Sequence, residues 1–272
     1  MIYALDSVSK VYPQGHTRVR ALHEVSLRVT GAEHIALLGP SGAGKSTLFR
    51  LLNATIRPTH GAVFFEGHDL SEMTGTQIRA VRRRIGTIYQ QHNLVPPLTV
   101  LENTLCGGLG RWSLAHTLKG MFRPQRYDLD KALSAIETVG LADKRHARAD
   151  ELSGGQQQRV AIARALMQDP EVILADEPVA SLDPRLAEEI MDLLVQVAHE
   201  NERTLIVSLH KVDVAIQRLP RVVALRDGAV EFDAPSSHVN PALLKELYSS
   251  GTPATRKEKS EGGFRNEFNC LS

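Results

Sequence analysis

Residues 39–46 read Gly-Pro-Ser-Gly-Ala-Gly-Lys-Ser and fit the pattern G-x-x-x-x-G-K-[ST]. The apolar run 34–38 precedes them and the helical run Ser46-Thr47-Leu48-Phe49-Arg50-Leu51-Leu52 follows, which is the context the pattern requires. A chain with this feature needs a strand, a tight turn and a helix start in that order. Gly39, Gly42 and Gly44 let the backbone curl until successive N–H groups point inward, with Pro40, Ser41 and Ala43 between them. The helix N-terminus adds the positive end of its dipole, so the loop is predicted to hold the phosphates of ATP. Lys45 is placed to reach the β- and γ-oxygens, Ser46 to ligate Mg²⁺ through its hydroxyl, and Thr47 to reach the α-phosphate region.

Around this loop, short apolar runs alternate with longer helical patterns, the signature of βα units on a mostly parallel sheet. Runs 34–38, 86–89, 172–175, 204–208 and 222–225 have strand length, several without alternation, as expected when both faces are buried. Residues 185–199 form the clearest helical pattern, with Leu186, Ile190, Leu193, Leu194 and Val197 at helical spacing. The segments before His34 and at 62–65 alternate more and are punctuated by Gly31, Gly61 and Gly67, which predicts an antiparallel β layer beside the core. Between Asn93 and Asp150 the strand signal disappears, and helical patterns at 114–122 and 129–139 predict a helical subdomain over about 93–168. The expected organisation is an α/β P-loop NTPase core over 1–250 and a polar, disordered tail over 251–272.

Lys plus Arg total 32 and Asp plus Glu 31, so no overall basic footprint points to nucleic acid. Arg79, Arg82, Arg83 and Arg84 form a local cluster, read as a solvated face or a lipid-proximal patch. Cys106 and Cys270 lack metal-ligand spacing. No apolar run is long enough to span a bilayer, so work at a membrane requires other chains.

In open α/β sheets ligands collect at the carboxyl ends of strands. There the sequence puts the phosphate loop, Gln90, Asp176-Glu177 and His210. Asp176 is positioned as a carboxylate holding the magnesium water shell, and Glu177 as acceptor of a proton from the attacking water. Gln90 could coordinate magnesium and that water, and His210 could bond the γ-phosphate and the water. A lone His or Gln at a strand end is more often structural, and Asp-Glu-Pro alone reads as a helix start. Ser153-Gly154-Gly155-Gln156 opens another helical run, with Ser153 as N-cap and two glycines that would admit a ligand to free N–H groups. A capped helix with a flexible start accounts for the same residues.

The order of the phosphate loop, Gln90, Leu152-Ser153-Gly154-Gly155-Gln156, Ile173-Leu174-Ala175-Asp176-Glu177, Ser181-Leu182-Asp183 and His210 resembles the nucleotide-binding subunit of ABC transporters, over about residues 1–248. The resemblance implies an ATPase whose two copies meet head to tail, ATP lying between the phosphate loop of one and Ser153-Gly154-Gly155 of the other. It implies that Tyr12, alone readable as a core tyrosine, stacks on adenine. Asp183 falls in the loop linking the two sites, and Gln90 with 92–97 in the region that receives a permease coupling helix. Residues 175–184, 208–213 and the insertion from Gly107 to Lys144 are similar to the ATPase of phosphonate importers, which implies uptake of phosphonates or related oxyanions such as phosphite. Lys211, where that group has Gln, and the tail after Ser250 depart from it. The resemblance implies work at the cytoplasmic face of the inner membrane, with permease subunits and, indirectly, a periplasmic solute-binding protein. Importers of amino acids and lipoprotein-release or export ATPases share the motifs. Soluble relatives acting on DNA or ribosomes carry coiled-coil arms or two cassettes, and this sequence has neither.

Overall fold

The computed structural model describes residues 1–15, 17–112 and 124–249. The helical pattern at 114–122 and the tail at 251–272 lie outside the described residues. Two sheets organise the chain. One has the order β2-β1-β4-β5, from β1 (Tyr3–Gln14), β2 (Thr17–Val29), β4 (His60–Phe65) and β5 (His68–Asp69), and is antiparallel throughout. The other has the order β10-β9-β3-β8-β7-β6. Its strands are β3 (His34–Leu38), β6 (Ile85–Ile88), β7 (Val172–Asp176), β8 (Thr204–Ser208), β9 (Arg221–Arg226) and β10 (Ala229–Pro235). Pairing is parallel from β9 to β6, with β10 antiparallel at the edge.

The helices are α1 (Lys45–Leu52), α2 (Gly75–Arg83), α3 (Val100–Leu105), α4 (Arg126–Thr138), α5 (Gly154–Met167), α6 (Pro184–Glu200), α7 (Val212–Arg218) and α8 (Pro241–Ser249). Strand side chains alternate between faces, and here both faces are covered. Ala36 and Leu38 of β3 join an apolar cluster with Ile162, Ile190 and Leu194 of α5 and α6. Ile35 and Leu37 join a second cluster with Leu48 and Leu52 of α1 and with Val8 and Val63 of the antiparallel sheet. The runs without alternation are therefore strands buried on both sides, and the alternating segments form the outer layer.

Several helix starts are written in the sequence. Thr74 with Gln77, Thr99 with Glu102 and Ser153 with Gln156 form capping boxes at α2, α3 and α5. Asp183 caps α6 and Pro184 occupies its first turn. The helical segment between β6 and β7 joins the main core through Val100, Ile136 and Val139, which share the cluster of Ile88 and Ile173. Arg84 leaves the arginine cluster to pair with Glu66, at 2.7 Å, and with Glu171, tying the two sheets together. That pairing replaces the solvated or lipid-facing reading for this one arginine.

Two elements at the chain's end fall outside the sequence reading. The β9–β10 hairpin turns at Asp227 and Gly228, both with positive φ, and an Asp-Gly turn of this kind is the local signal that marks it. Helix α8 then returns along β9, with Leu247 1% exposed in the main core.

Gly107 sets how closely α5 and the short turn after α3 approach. A Cβ there would lie 2.0 Å from the Arg164 carbonyl oxygen, backbone that cannot swing aside. Gly107→Ala is therefore expected to lower stability by about 1–3 kcal/mol, read from the midpoint of urea unfolding.

Candidate functional site

Register brings the rim together. Leu37 pairs with Ser208 and Ser208 with Asp176, while Ile88 of β6 lies opposite Ala175. Glu177 follows Asp176 directly, and Gly39, His210 and Gln90 come two residues after Leu37, Ser208 and Ile88, so the strand ends meet along one edge.

In the phosphate loop the glycines are required for two reasons. Gly39, Gly42 and Gly44 have φ of 148°, 83° and 102°, values an L side chain seldom adopts. Added Cβ atoms would also come within 2.2 Å of the Leu225 carbonyl oxygen at Gly39 and 2.5 Å of the Ala21 carbonyl oxygen at Gly44. The loop is thus wedged between β9 and β2. Helix α1, starting from it, has no capping side chain, unlike α3, α5 and α6, and no acidic residue in its first turn. Its N–H groups and dipole suit an anion from outside the chain.

The Lys45 ammonium donates to the carbonyl oxygens of Gly39, at 2.7 Å, and Pro40, at 3.2 Å. With three N–H donors and two so used, one remains for a phosphate oxygen. Burial lowers the pKa of Lys45, while the carboxylates of Glu177 and Asp176 favour its charged form. The shared register of β3, β8 and β7 sets both acids beside the loop. Ser41 and Ser46 are exposed and Thr47 is half-buried.

A residue without an assigned role in the sequence holds the acidic pair. Ser208, fully buried at the end of β8, donates from Oγ to Asp176 Oδ1 at 2.6 Å. The same Oγ accepts from the Glu177 N–H at 2.9 Å, and the Ser208 carbonyl oxygen accepts from it at 3.2 Å. Glu177 itself has φ of 50°, a left-handed conformation costing a non-glycine residue about 1–3 kcal/mol, and these bonds hold it there. Its Oε1 lies 2.5 Å from His210 Nε2. The imidazole therefore meets the carboxylate expected to take up a proton. A polar residue closing an apolar strand one position before Leu209-His210 is the signal that could have found Ser208.

The oxygen donors suit Mg²⁺. The Ser46 hydroxyl and Asp176 Oδ2 are hard ligands, and among the described residues no cluster of three or more His, Cys, Asp or Glu competes to form a closed cage. Mg²⁺ characteristically keeps waters and substrate oxygens alongside one or two protein ligands. Gln90 stands at the same rim, exposed. Beside it, Arg79, Arg82, Arg83, Tyr89, Asn93 and Arg164 line a groove of about 470 Å³.

The second glycine pair divides in role. Gly154 is exposed, with Leu182 at 3.8 Å from an added Cβ, whereas a Cβ on Gly155 would lie 2.3 Å from Leu186 Cδ2. Close packing against α6 gives Gly155 a structural reason to lack a side chain. Ser153 and Gln156 spend side-chain bonds on the capping box, and Asp183 Oδ1 accepts from the Leu186 N–H at 3.1 Å. Gly154 and Gly155 thus adjoin the segment that carries Asp183. Tyr12, on β1 opposite Val19, has the Lys10 ammonium 5.4 Å from its ring centroid and a buried hydroxyl with no partner among the described residues. The β2 stretch after Val19 reaches Ala21, which abuts Gly44.

A profile of the ABC transporter family matches residues 22–180. The chain is similar to a phosphonates import ATP-binding protein, PhnC 2, of Synechococcus sp. (strain JA-2-3B'a(2-13)), with 43% identity over 94% of this chain and 96% of that one. A protein of the same description from Nitratidesulfovibrio vulgaris (strain Hildenborough) is 44% identical, covering 90% of each chain. Among solved structures, the dimeric post-hydrolysis state of the ATP-binding cassette MJ0796 bound to ADP and Pi is similar with a TM-score of 0.75 and 34% identity, over 86% of this chain and 99% of that one. The ADP conformation of MJ1267, an ATP-binding cassette of an ABC transporter, gives a TM-score of 0.76 and 26% identity, over 92% and 98%.

Ser208→Ala removes the donor to Asp176 and one of two acceptors for the Glu177 N–H. The expected loss is about 1–2 kcal/mol in urea unfolding, with slower nucleotide hydrolysis. Unaltered hydrolysis would show that this clamp does not position the acids.

Proposed function

The chain belongs to the ABC transporter family as an ATP-binding, ATP-hydrolysing subunit, and we propose that it energises import of phosphonates or related oxyanions such as phosphite. The site reading rests on one observation, the Ser208 clamp that fastens Asp176 and Glu177 beside Lys45. The cargo reading rests on the relatives described as phosphonates import ATP-binding proteins, matched over nearly their whole length.

In this reading residues 39–47 cradle the triphosphate, through the α1 N–H groups and the remaining Lys45 donor, and Tyr12 stacks on adenine. Ser46, Asp176 and Gln90 would hold Mg²⁺, directly or through water, and the bound ion would supply charge neutralisation for the triphosphate. Glu177 accepts a proton as the water oxygen bonds the γ-phosphorus. The bond from that phosphorus to the β-phosphate oxygen breaks, releasing ADP and phosphate. His210 steadies the Glu177 carboxylate and contacts the γ-phosphate. Two copies close head to tail, the Ser153-Gly154-Gly155-Gln156 turn and Asp183 of one completing the site of the other.

Residues 1–250 then act as one ATPase domain with a helical lobe over about 93–168, and 251–272 as an appended tail. No described helix is long and apolar enough to cross a membrane, so permease chains supply the span. The arginine-lined groove beside Gln90 offers them a docking surface at the cytoplasmic face of the inner membrane. A periplasmic binding protein would deliver cargo to that permease.

Glu177→Gln is expected to cut ATP turnover by about 100-fold or more while ATP still binds. Near-normal turnover would remove Glu177 from its role. Reconstituted with a phosphonate permease and its binding protein, the wild-type chain is expected to hydrolyse ATP faster with methylphosphonate than with an amino acid, and the reverse order would reassign the cargo.

A further inference from the structure

Arg164, near the end of helix α5, reaches the loop that carries Gln90. Its Nη2 donates to the His92 carbonyl oxygen at 2.7 Å and its Nη1 to the Asn93 carbonyl oxygen at 2.5 Å. The side chain is half-buried, and burial lowers its pKa. No ion pair with a carboxylate of the described residues offsets that cost, so the two carbonyls are its counterparts. A guanidinium presents its donors as a rigid planar fork, which fixes what it catches in direction as well as distance. The backbone beneath it is also fixed, because Gly107 lies against the Arg164 carbonyl too closely to admit a Cβ.

The chain on either side of the caught residues has little slack. Strand β6 ends at Ile88, which leaves Tyr89, Gln90 and Gln91 between the sheet and the anchored His92. Downstream, the buried Asn103 of α3 ties off the next turn. Its Nδ2 donates to the carbonyl oxygens of Val95, Leu98 and Thr99 at 3.1, 3.0 and 3.1 Å, and its Oδ1 accepts from the Val95 N–H at 2.8 Å. Gln90 is therefore the middle of a short span with one end in the parallel sheet and the other on α5. Where α5 lies against the sheet decides where Gln90 lies. The same helix starts at Gly154, beside Ser153, about 15 Å from Arg164 at 1.5 Å per residue. Arg164, Tyr89 and Asn93 line the groove beside Gln90 together.

We propose that Arg164 is a positioning residue for Gln90, its guanidinium gearing the 92–93 carbonyls to helix α5, so that a shift of that helix or a group entering the groove resets Gln90 at the rim. The inference rests on the reading of Gln90 as a group that meets Mg²⁺ and the attacking water. It goes beyond that reading by naming what places the amide and by joining it to the helix that begins at the Ser153-Gly154-Gly155 turn.

Arg164→Met in the full-length chain keeps the length of the side chain and removes both donors. In the nucleotide-free protein, ¹⁵N order parameters of residues 89–93 are expected to fall from the rigid range, about 0.85, to below about 0.6, with β3 and β7 unchanged. Low values already in the wild type, or no fall on substitution, overturn the proposal. So does an equal fall in the two strands, the outcome of general loosening. In turnover, kcat is expected to drop about tenfold while the Kd for Mg-ATP changes less than about twofold, since residues 39–47 are untouched. A weakened Kd with kcat intact overturns the role. Arg164→Lys keeps the charge and can reach one carbonyl, so intermediate order parameters and kcat are expected from it, and the test does not hang on the folding of the Met variant. Combining Arg164→Met with Gln90→Ala closes the cycle: an arginine that acts through Gln90 makes the double variant no slower than Gln90→Ala alone. Losses that multiply overturn the role of Arg164 and leave Gln90 in place. Wild-type turnover in Gln90→Ala instead removes Gln90 from the chemistry, and this inference with it.

Discussion

The common register of β3, β8 and β7 is the constraint on which the site depends. Leu37, Ser208 and Asp176 stand side by side across three strands, so the loop after β3 and the acids closing β7 arrive at one level. A slip by one residue would turn each strand's side chains to the opposite face. Register here is secured because both faces are buried: Ile35 and Leu37 in one apolar cluster, Ala36 and Leu38 in the other. Packing of the core and placement of the chemistry are therefore the same event.

Upon that frame the rim carries local strain held by specific bonds. Glu177 takes a left-handed conformation because Ser208 supplies acceptors from both its hydroxyl and its carbonyl. Such a conformation persists where surrounding structure over-determines it, and it aims the carboxylate at His210 instead of along the strand. Lys45 shows the complementary condition. Its buried ammonium is disfavoured by desolvation and supported by the two carboxylates and two loop carbonyls around it. A charge so poised answers strongly to a triphosphate, since a low-dielectric setting magnifies each exchange of partner.

Much of this was legible in the residues. The five strands of the parallel core follow from short apolar or β-branched runs, several without alternation because burial on both faces removes the need for it. The phosphate loop is legible because its backbone takes conformations and approaches that exclude a Cβ. Ser153 was legible as a helix cap, since an N-cap acts over three residues and needs no tertiary partner. Less was legible where a residue type has several uses. Gly155, read as an opening to a ligand, is also where Leu186 packs. Arg84 looks like one of four surface arginines and instead binds Glu66 and Glu171.

The sequence by itself determined the α/β class, the phosphate loop, the acids at the rim and membership of a family of transport ATPases, all carried by local pattern. Tertiary structure alone decided what holds those groups in place. Ser208 reaches the acids, and β9 and β2 wedge the loop glycines, each across a long stretch of chain. A hydrogen bond depends on where two atoms come to lie, and for residues remote in sequence that is settled only when the sheet and its helices have packed.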